Sequence, residues 1–370
     1  MPRNLRLAYF AHTLRSDWNN GNAHFLRGLM RALQQVGHEV TVYEPEREWS
    51  INNLRAEPAG TRSLDAFLET YVDLDVQTYA EEETEELWRQ RLGGTDVVIL
   101  HEWNRPALAK RLIAWREDLG YKLLFHDTHH RASSSPEQIE QFGLAQFDGI
   151  IAFGKALSDI YRERFGLERV WTLHEAADTT VFRPCAGIVR ESTIVWIGNW
   201  GEGERATEIE EFLLEPVAAL REVACTTIFG VRYPEDALAA LEDAGVCYGG
   251  YLPNLDAPGI FARSSATVHV PRQQYTSAMI GIPTIRVFEA LACGIPLVSA
   301  PWEDTEGLFR KGDFQFASNA AQMTCELRVL LTDKAAAEDQ AARGLETVLG
   351  RHTCVHRAHE LTAICEEVLG

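Results

Sequence analysis

LRLAYFAHTLRSDWNNGNAHFLRGLMRALQQVGHEVTVYEP, residues 5–45, decides the fold. LRLAYFA (5–11) is a short apolar run of strand length, and AHFLRGLMRALQQVG (23–37) repeats its apolar residues at helical spacing up to a stop at Gly37. HEVTVYEP (38–45) is apolar and β-branched again. Strand, polar loop, helix, glycine stop and strand make a βαβ unit, which implies a parallel sheet with a right-handed crossover.

Downstream, TDVVILHE (95–102), YKLLFHD (121–127), DGIIAFG (148–154) and RVWTLHEA (169–176) continue the alternation. The cycle restarts at TIVWIGNW (193–200) and runs through CTTIFGV (225–231), CYGGYL (247–252), SATVHVPR (265–272) and IPLVSAP (295–301), after a proline-containing linker near Arg183–Ala186. Two such runs predict an α/β chain with two Rossmann-like, doubly wound parallel-sheet domains and a ligand facing the carboxyl ends of the strands. The expected bounds are 1–184 and 185–350, followed by a closing helix at 351–370. Residues 46–94, acidic and rich in Tyr and Glu, read as an inserted helical lobe, a lid, or a solvated amphipathic helix.

Composition narrows the partners. The 370 residues, 46% hydrophobic and 24% charged, suit two globular domains. No stretch reaches the ~18 apolar residues of a spanning helix, and the start runs into a strand rather than a signal peptide, so no integral membrane segment and a cytoplasmic location are expected. The formal charge of −19, with no basic stripe, opposes binding to nucleic acid or anionic lipid, while a few converging arginines would still admit a small anion. Seven cysteines without a CxxC pair read as reduced and mostly buried.

Three segments carry chemistry. In SDWNNGNAHFLRG (16–28), Gly21 permits a close turn and the amides from Asn22 onward open a helix, a natural anion site as well as an ordinary βα turn. FHDTHHR (125–131) crowds three histidines, an aspartate and an arginine at a strand end, which suits a catalytic or sugar-binding loop, a metal, or structural histidines. In GIPTIRVFEALACGIPLVSAP (281–301), Pro283 suits a first helical turn, the amides of Thr284, Ile285 and Arg286 are the unpaired donors of a helix start, and Glu289 one turn on can accept from a ribose diol. An i,i+3 surface pair of Arg286 with Glu289 is the plainer alternative.

These residues carry a resemblance. VFEALACGIPLVSA resembles the EAxAxGxPVV signature of retaining glycosyltransferases of the GT-B type, and LHEAADTTVFRP resembles their interdomain segment. Together with HDTHHR, IGNWGEGER and GVRYP, these stretches resemble CgeB-type glycosyltransferases, a family named from a spore-maturation protein. The resemblance implies two Rossmann-like domains facing across a cleft, the first taking an acceptor and the second a nucleotide sugar, with a closing helix that packs toward the first domain. It implies transfer of a sugar from a nucleoside diphosphate sugar, a UDP-sugar as first choice, to a hydroxyl of a small molecule, glycan or protein, with retention, no metal and no tightly bound cofactor. Gly21, Asn22, Gly198, Asn199, Trp200, Arg205, Arg272, Thr284, Ile285, Arg286 and Glu289 match donor-binding positions, and His126, Asp127 and His129 match the catalytic loop. Ile282 stands where many retaining members have a second glutamate. A GT-B-fold sugar-nucleotide epimerase and a non-catalytic sugar-nucleotide-binding or coat-associated protein are the alternatives.

Overall fold

The computed structural model describes residues 4–80, 82–201 and 203–370, so the chain before Asn4 and Glu202 of the IGNWGEGER motif lie outside the described residues. The chain divides into two compact units: the part up to Glu175 together with Cys354–Gly370, and Ala176–Thr353.

The first unit is built on a seven-stranded sheet of β1 (Arg6–Phe10), β2 (Glu39–Pro45), β3 (Asp75–Tyr79), β4 (Val97–His101), β5 (Lys122–Asp127), β6 (Gly149–Ala152) and β7 (Val170–Thr172), in the order β3-β2-β1-β4-β5-β6-β7. Every pairing is parallel, and the central strands β4 and β6 are buried along their whole length, as sheets covered by helices on both faces require. The Ala23–Gln35 helix between β1 and β2 ends where Gly37 takes φ +106°; the amide of His38 donates to the Leu33 carbonyl and that of Gly37 to Gln34, a Schellman stop.

Residues 46–94 are part of this sheet rather than an inserted helical lobe. They hold three helices, Trp49–Ala56, Gly60–Thr70 and Glu85–Leu92, and the edge strand β3, which pairs with β2 from Thr41–Asp75 to Pro45–Tyr79. Beneath it Trp88 is fully buried, with the rings of Tyr79 at 5.2 Å, Tyr43 at 5.4 Å and Phe10 at 5.5 Å. The Cys354–Leu369 helix completes the unit: Thr362 Oγ1 lies 2.8 Å from His38 Nε2, Arg357 Nε donates to the His174 carbonyl at 2.8 Å, and Trp171 Nε1 donates to Glu367 at 3.0 Å.

The second unit repeats the plan with six parallel strands, β8 (Thr193–Ile197), β9 (Cys225–Phe229), β10 (Cys247–Gly250), β11 (Ala266–His269), β12 (Leu297–Ser299) and β13 (Gln315–Phe316), in the order β10-β9-β8-β11-β12-β13. Ile194, Trp196, Ile228, Val268 and Val298 of its strands close a core with Phe212, Leu213, Met323 and Leu327 of the covering helices. The Ile285–Ala292 helix ends in the same stop as its counterpart: Gly294 takes φ +66°, its amide donates to Leu291, and that of Ile295 donates to Ala290. All seven cysteines are free; Cys293, Cys354 and Cys365 are buried, but Cys225, Cys247 and Cys325 are exposed, so the thiols are less buried than the sequence suggests. Among the described residues no helix is long and apolar enough to cross a membrane.

Candidate functional site

Each sheet reverses its strand order once, between β1 and β4 in the first unit and between β8 and β11 in the second. At such a point the loops leaving the two strands diverge and open a crevice at their carboxyl ends, where ligands of open α/β sheets bind.

In the second unit the crevice is spanned by Arg205. The guanidinium, 8% exposed, donates to the Val270 carbonyl beyond β11 at 2.9 Å and to the Asn199 carbonyl beyond β8, and lies 5.0 Å over the ring of Trp196. Burial pulls its pKa down to about 9, helped by the like charges of Arg272 and Arg286. The loop it holds is pinned on all sides: Asn199 Oδ1 accepts from the Val231 amide at 2.9 Å, and the Gly198 carbonyl accepts from Tyr233 at 2.8 Å. Gly201 needs to be glycine, since φ is +94° and a Cβ would stand 3.0 Å from Arg205 Cγ. Trp200 is half-buried, its ring 5.8 Å from that of Tyr233.

The Ile285–Ala292 helix brings the remaining groups. Thr284 is the N-cap residue, so Pro283 lies one residue before the cap rather than in the first turn, and the leading amides belong to Ile285 and Arg286. Glu289 is fully buried, accepting from Arg286 Nη1 and from Asn254 Nδ2 at 3.3 Å. The i,i+3 pair of the plainer alternative therefore exists, but with its carboxylate inside the fold, where an unpaired charge would be costly. Arg272 is paired with Glu204 at 2.7 Å.

In the first unit the same crevice is lined by imidazoles. His12 follows β1 and stacks on His101, the last residue of β4, at 5.7 Å and 18°; His101 lies 5.8 Å from His126. Tyr9 hydroxyl meets His126 Nδ1 at 2.8 Å. Thr128 Oγ1 donates to Glu102 at 3.2 Å and so accepts from His101 Nε2 at 3.1 Å, which leaves His101 Nδ1 as the bare acceptor nitrogen. His12 Nδ1, His101 Nδ1 and His126 Nε2 are buried with no hydrogen-bond partner. Burial holds all three rings neutral: His12 and His126 are lowered to about 3 and His101 falls well below the usual range.

The cluster is anchored by one ion pair. Fully buried Glu102 accepts from Arg131 Nη2 at 2.6 Å, and Arg131 lies 4.0 Å over the exposed ring of Trp103. Burial raises Glu102 to about 8 against the pull of Arg131, with Asp127 adding repulsion.

The sequence-predicted residues thus fall into distinct places. His126 points its ring into the imidazole cluster; Asp127 uses both oxygens to shape the loop, accepting from the His129 amide at 2.9 Å and from Tyr161 hydroxyl. The His129 ring packs beside Trp103 at 4.9 Å. In the loop after β1, the left-handed residue is Asn19 (φ 51°), not Gly21, and Asn22 caps the Ala23–Gln35 helix through its backbone without a side-chain bond. That loop is held by Arg27, which donates to the Leu14 carbonyl at 2.7 Å and that of Arg15 at 2.9 Å. His12 and Asn254 are members that sequence reasoning did not single out, while His101 and Glu102 open the stretch HEWNRP (101–106), which the sequence offers as a wall of the acceptor site. Among the described residues no group of three or more His, Cys, Asp or Glu is arranged to hold a metal ion.

Residues 205–363 match the sequence model of a family described as glycosyl transferase-like, a stretch that begins at Arg205 and contains Arg272, Arg286 and Glu289. No curated protein sequence matches the chain. Among solved structures, that of Anabaena HepE in complex with UDP and glucose aligns at TM-score 0.71 with 10% identity over 97% of this chain and 99% of that one. An alpha-glucosyltransferase in complex with UDP and DNA aligns at 0.69 with 12% identity over 98% and 100%. A glycosyltransferase from Rickettsia africae aligns at 0.68 with 10% identity over 99% of each chain. The chain shares the GT-B fold of these solved structures, and over residues 205–363 it is similar to the glycosyl transferase-like family.

Proposed function

We propose that this protein is an enzyme that transfers a sugar from a nucleoside diphosphate sugar, UDP-linked as the first choice, to an acceptor hydroxyl. The observation that carries this reading is the cluster of Arg205, Arg272 and Arg286 at the crevice of the second unit, close enough for Arg205 to feel both other charges, in a chain of net charge −19. A protein that is acidic overall and gathers arginines around a helix start has built a site for a compact anion. A diphosphate would take the amides of Ile285 and Arg286 and the guanidinium groups, while Glu289, held by Asn254, would receive the ribose hydroxyls.

In this reading the second unit binds the donor and the first binds the acceptor. Negative charge develops on the leaving diphosphate as the glycosidic bond breaks, and preorganised arginines and helix amides stabilise it; removing one such donor costs on the order of 2.7–4 kcal/mol. The transfer needs no metal for that step. The unpartnered, neutral Nε2 of His126 serves a sugar or acceptor hydroxyl, and its bond to Tyr9 keeps the ring oriented. UDP is favoured because the HepE and alpha-glucosyltransferase structures hold it. Retention and a CgeB-type kinship follow from the sequence resemblance, and seven free thiols accord with a reducing, cytoplasmic setting. An epimerase, which needs carboxylates at the donor sugar, is disfavoured by Ile282, fully buried at the position of the second glutamate.

The test is a thermal-shift series with UDP, GDP, ADP and dTDP on the wild type and Glu289→Ala, since a ligand at about 100 times its Kd adds roughly 2.7 kcal/mol of stability. The expected outcome is a rise in Tm with one diphosphate that is lost in the variant, followed by consumption of the matching nucleotide sugar. A wild type that no nucleotide stabilises removes the donor site from consideration.

A further inference from the structure

Within the second unit, the linker segment before β8 packs on the C-terminal end of the Ile285–Ala292 helix. A cavity of about 250 Å³ opens there, and both Cys185 of the linker and Cys293, the helix's C-cap residue, line it. Two contacts bring these segments together. Arg190 donates to the Gly294 carbonyl, and Pro184 Cγ lies 3.6 Å from where a Gly294 Cβ would stand. Pro184 and Gly294 are the chain neighbours of Cys185 and Cys293, so their packing brings both cysteines to the same cavity wall.

We propose that Cys185 and Cys293 form a dithiol site at this cavity, which hydrogen peroxide closes to a disulfide that staples the linker to the helix carrying Arg286 and Glu289. The two thiols differ in exposure: Cys185 is half-exposed and meets the oxidant first, whereas Cys293 is buried and reacts only with the sulfenic acid formed beside it. The Cys185 thiolate attacks one peroxide oxygen; an S–O bond forms, the O–O bond breaks, and the departing hydroxide takes a proton to leave as water. The sulfur of Cys293 then attacks that of the sulfenic acid; the S–S bond forms, the S–O bond breaks, and the hydroxyl leaves with the Cys293 proton as a second water. Two electrons pass from the sulfurs to the peroxide, and a dithiol reductant reverses the change. The inference is independent of the sugar-transfer reading.

The experiment oxidises the reduced full-length protein with hydrogen peroxide, alkylates the remaining thiols, and maps the unreduced digest by mass spectrometry, with Cys185→Ser and Cys293→Ala beside the wild type. The expected product is a peptide pair joined through Cys185 and Cys293, lighter by two hydrogens, with a Tm that rises on oxidation, returns with dithiothreitol, and does not rise in either variant. Cys225, Cys247 and Cys325, all exposed, report general oxidation. Wild-type protein in which both thiols stay alkylatable, in which Cys185 stops at the sulfinic acid, or in which Cys185 pairs with another cysteine overturns the proposal.

Discussion

The two crevices sit at the same station of the same topology and are filled by opposite chemistry. At the β1–β4 crevice lie three neutral imidazoles, His12 stacked on His101 and His126 edge-on to it; between β8 and β11 lies a guanidinium tied to two backbone carbonyls. A doubly wound sheet dictates where loops diverge, not what they carry, so the fold supplies the place and a few side chains choose its charge. The imidazoles of the first crevice gain positive charge only on acidification, while the guanidinium of the second is charged at every physiological pH. That difference fits a division of labour in which one unit handles hydroxyls and the other a phosphate.

The comparison breaks most visibly at Arg131. Replacing it by Met leaves fully buried Glu102 without its cation, and a loss on the order of 3–5 kcal/mol is expected in urea denaturation. The loss has a direction in pH. Glu102 is raised to about 8 in the folded chain, against 4.5 for an ordinary glutamate, so its contribution to stability declines as pH rises between those values. Arg131→Met should therefore be more damaging at alkaline pH than at pH near 6, and an equal loss at both would show that Glu102 does not titrate there.

Acid should separate the two crevices next. His12 and His126 are lowered from 6.5 to about 3, so their stabilisation is present above 6.5 and is lost as pH falls through the window down to about 3. Each contributes up to about 1.4 kcal/mol per pH unit in that window, and His126→Asn should flatten the acid limb of a Tm-against-pH curve by one group's share. An unchanged slope would mean that the ring is already charged in the fold. A smaller effect is expected at Arg205→Lys, where an ammonium cannot reach both the Val270 and Asn199 carbonyls; a loss of about 2 kcal/mol with no pH dependence between 5 and 8 follows. Smallest are Gly37→Ala and Gly294→Ala, the matching helix stops at φ +106° and +66°, with no neighbour closer than 3.6 Å to the added methyl, so only backbone strain of about 1 kcal/mol is expected at each.

The two strands hidden from sequence reading, β3 and β13, each lie at a sheet margin. β3 spells DVQTY and is mostly half-exposed, and β13 is two exposed residues, so neither shows the apolar run that marks β4 or β6. Their neighbours supply the pairing that local pattern does not announce. In the second unit, Arg205, Arg286 and Glu289 were legible because helix-start chemistry and a family-like motif lie within short stretches of chain. In the first, His12 and His101 are far apart in sequence; a histidine stands at each strand's carboxyl end, and only His101 opens a polar stretch, HEWNRP, that sequence reading marks.

By itself the sequence determined the alternation of strands and helices, the glycine stop at Gly37, the restart at residue 193, and the acidity of the whole, because each depends on residues near one another in the chain or on a sum over all of them. Only the tertiary structure decided which way the strands are ordered and which polar groups are buried and paired. It buried Glu289 against Arg286 and Asn254, joined Arg272 to Glu204, placed Glu102 under Arg131, and gathered His12, His101 and His126 into one cluster. Those are contacts between distant segments, and the strength and sign of each depend on burial, which no local pattern encodes.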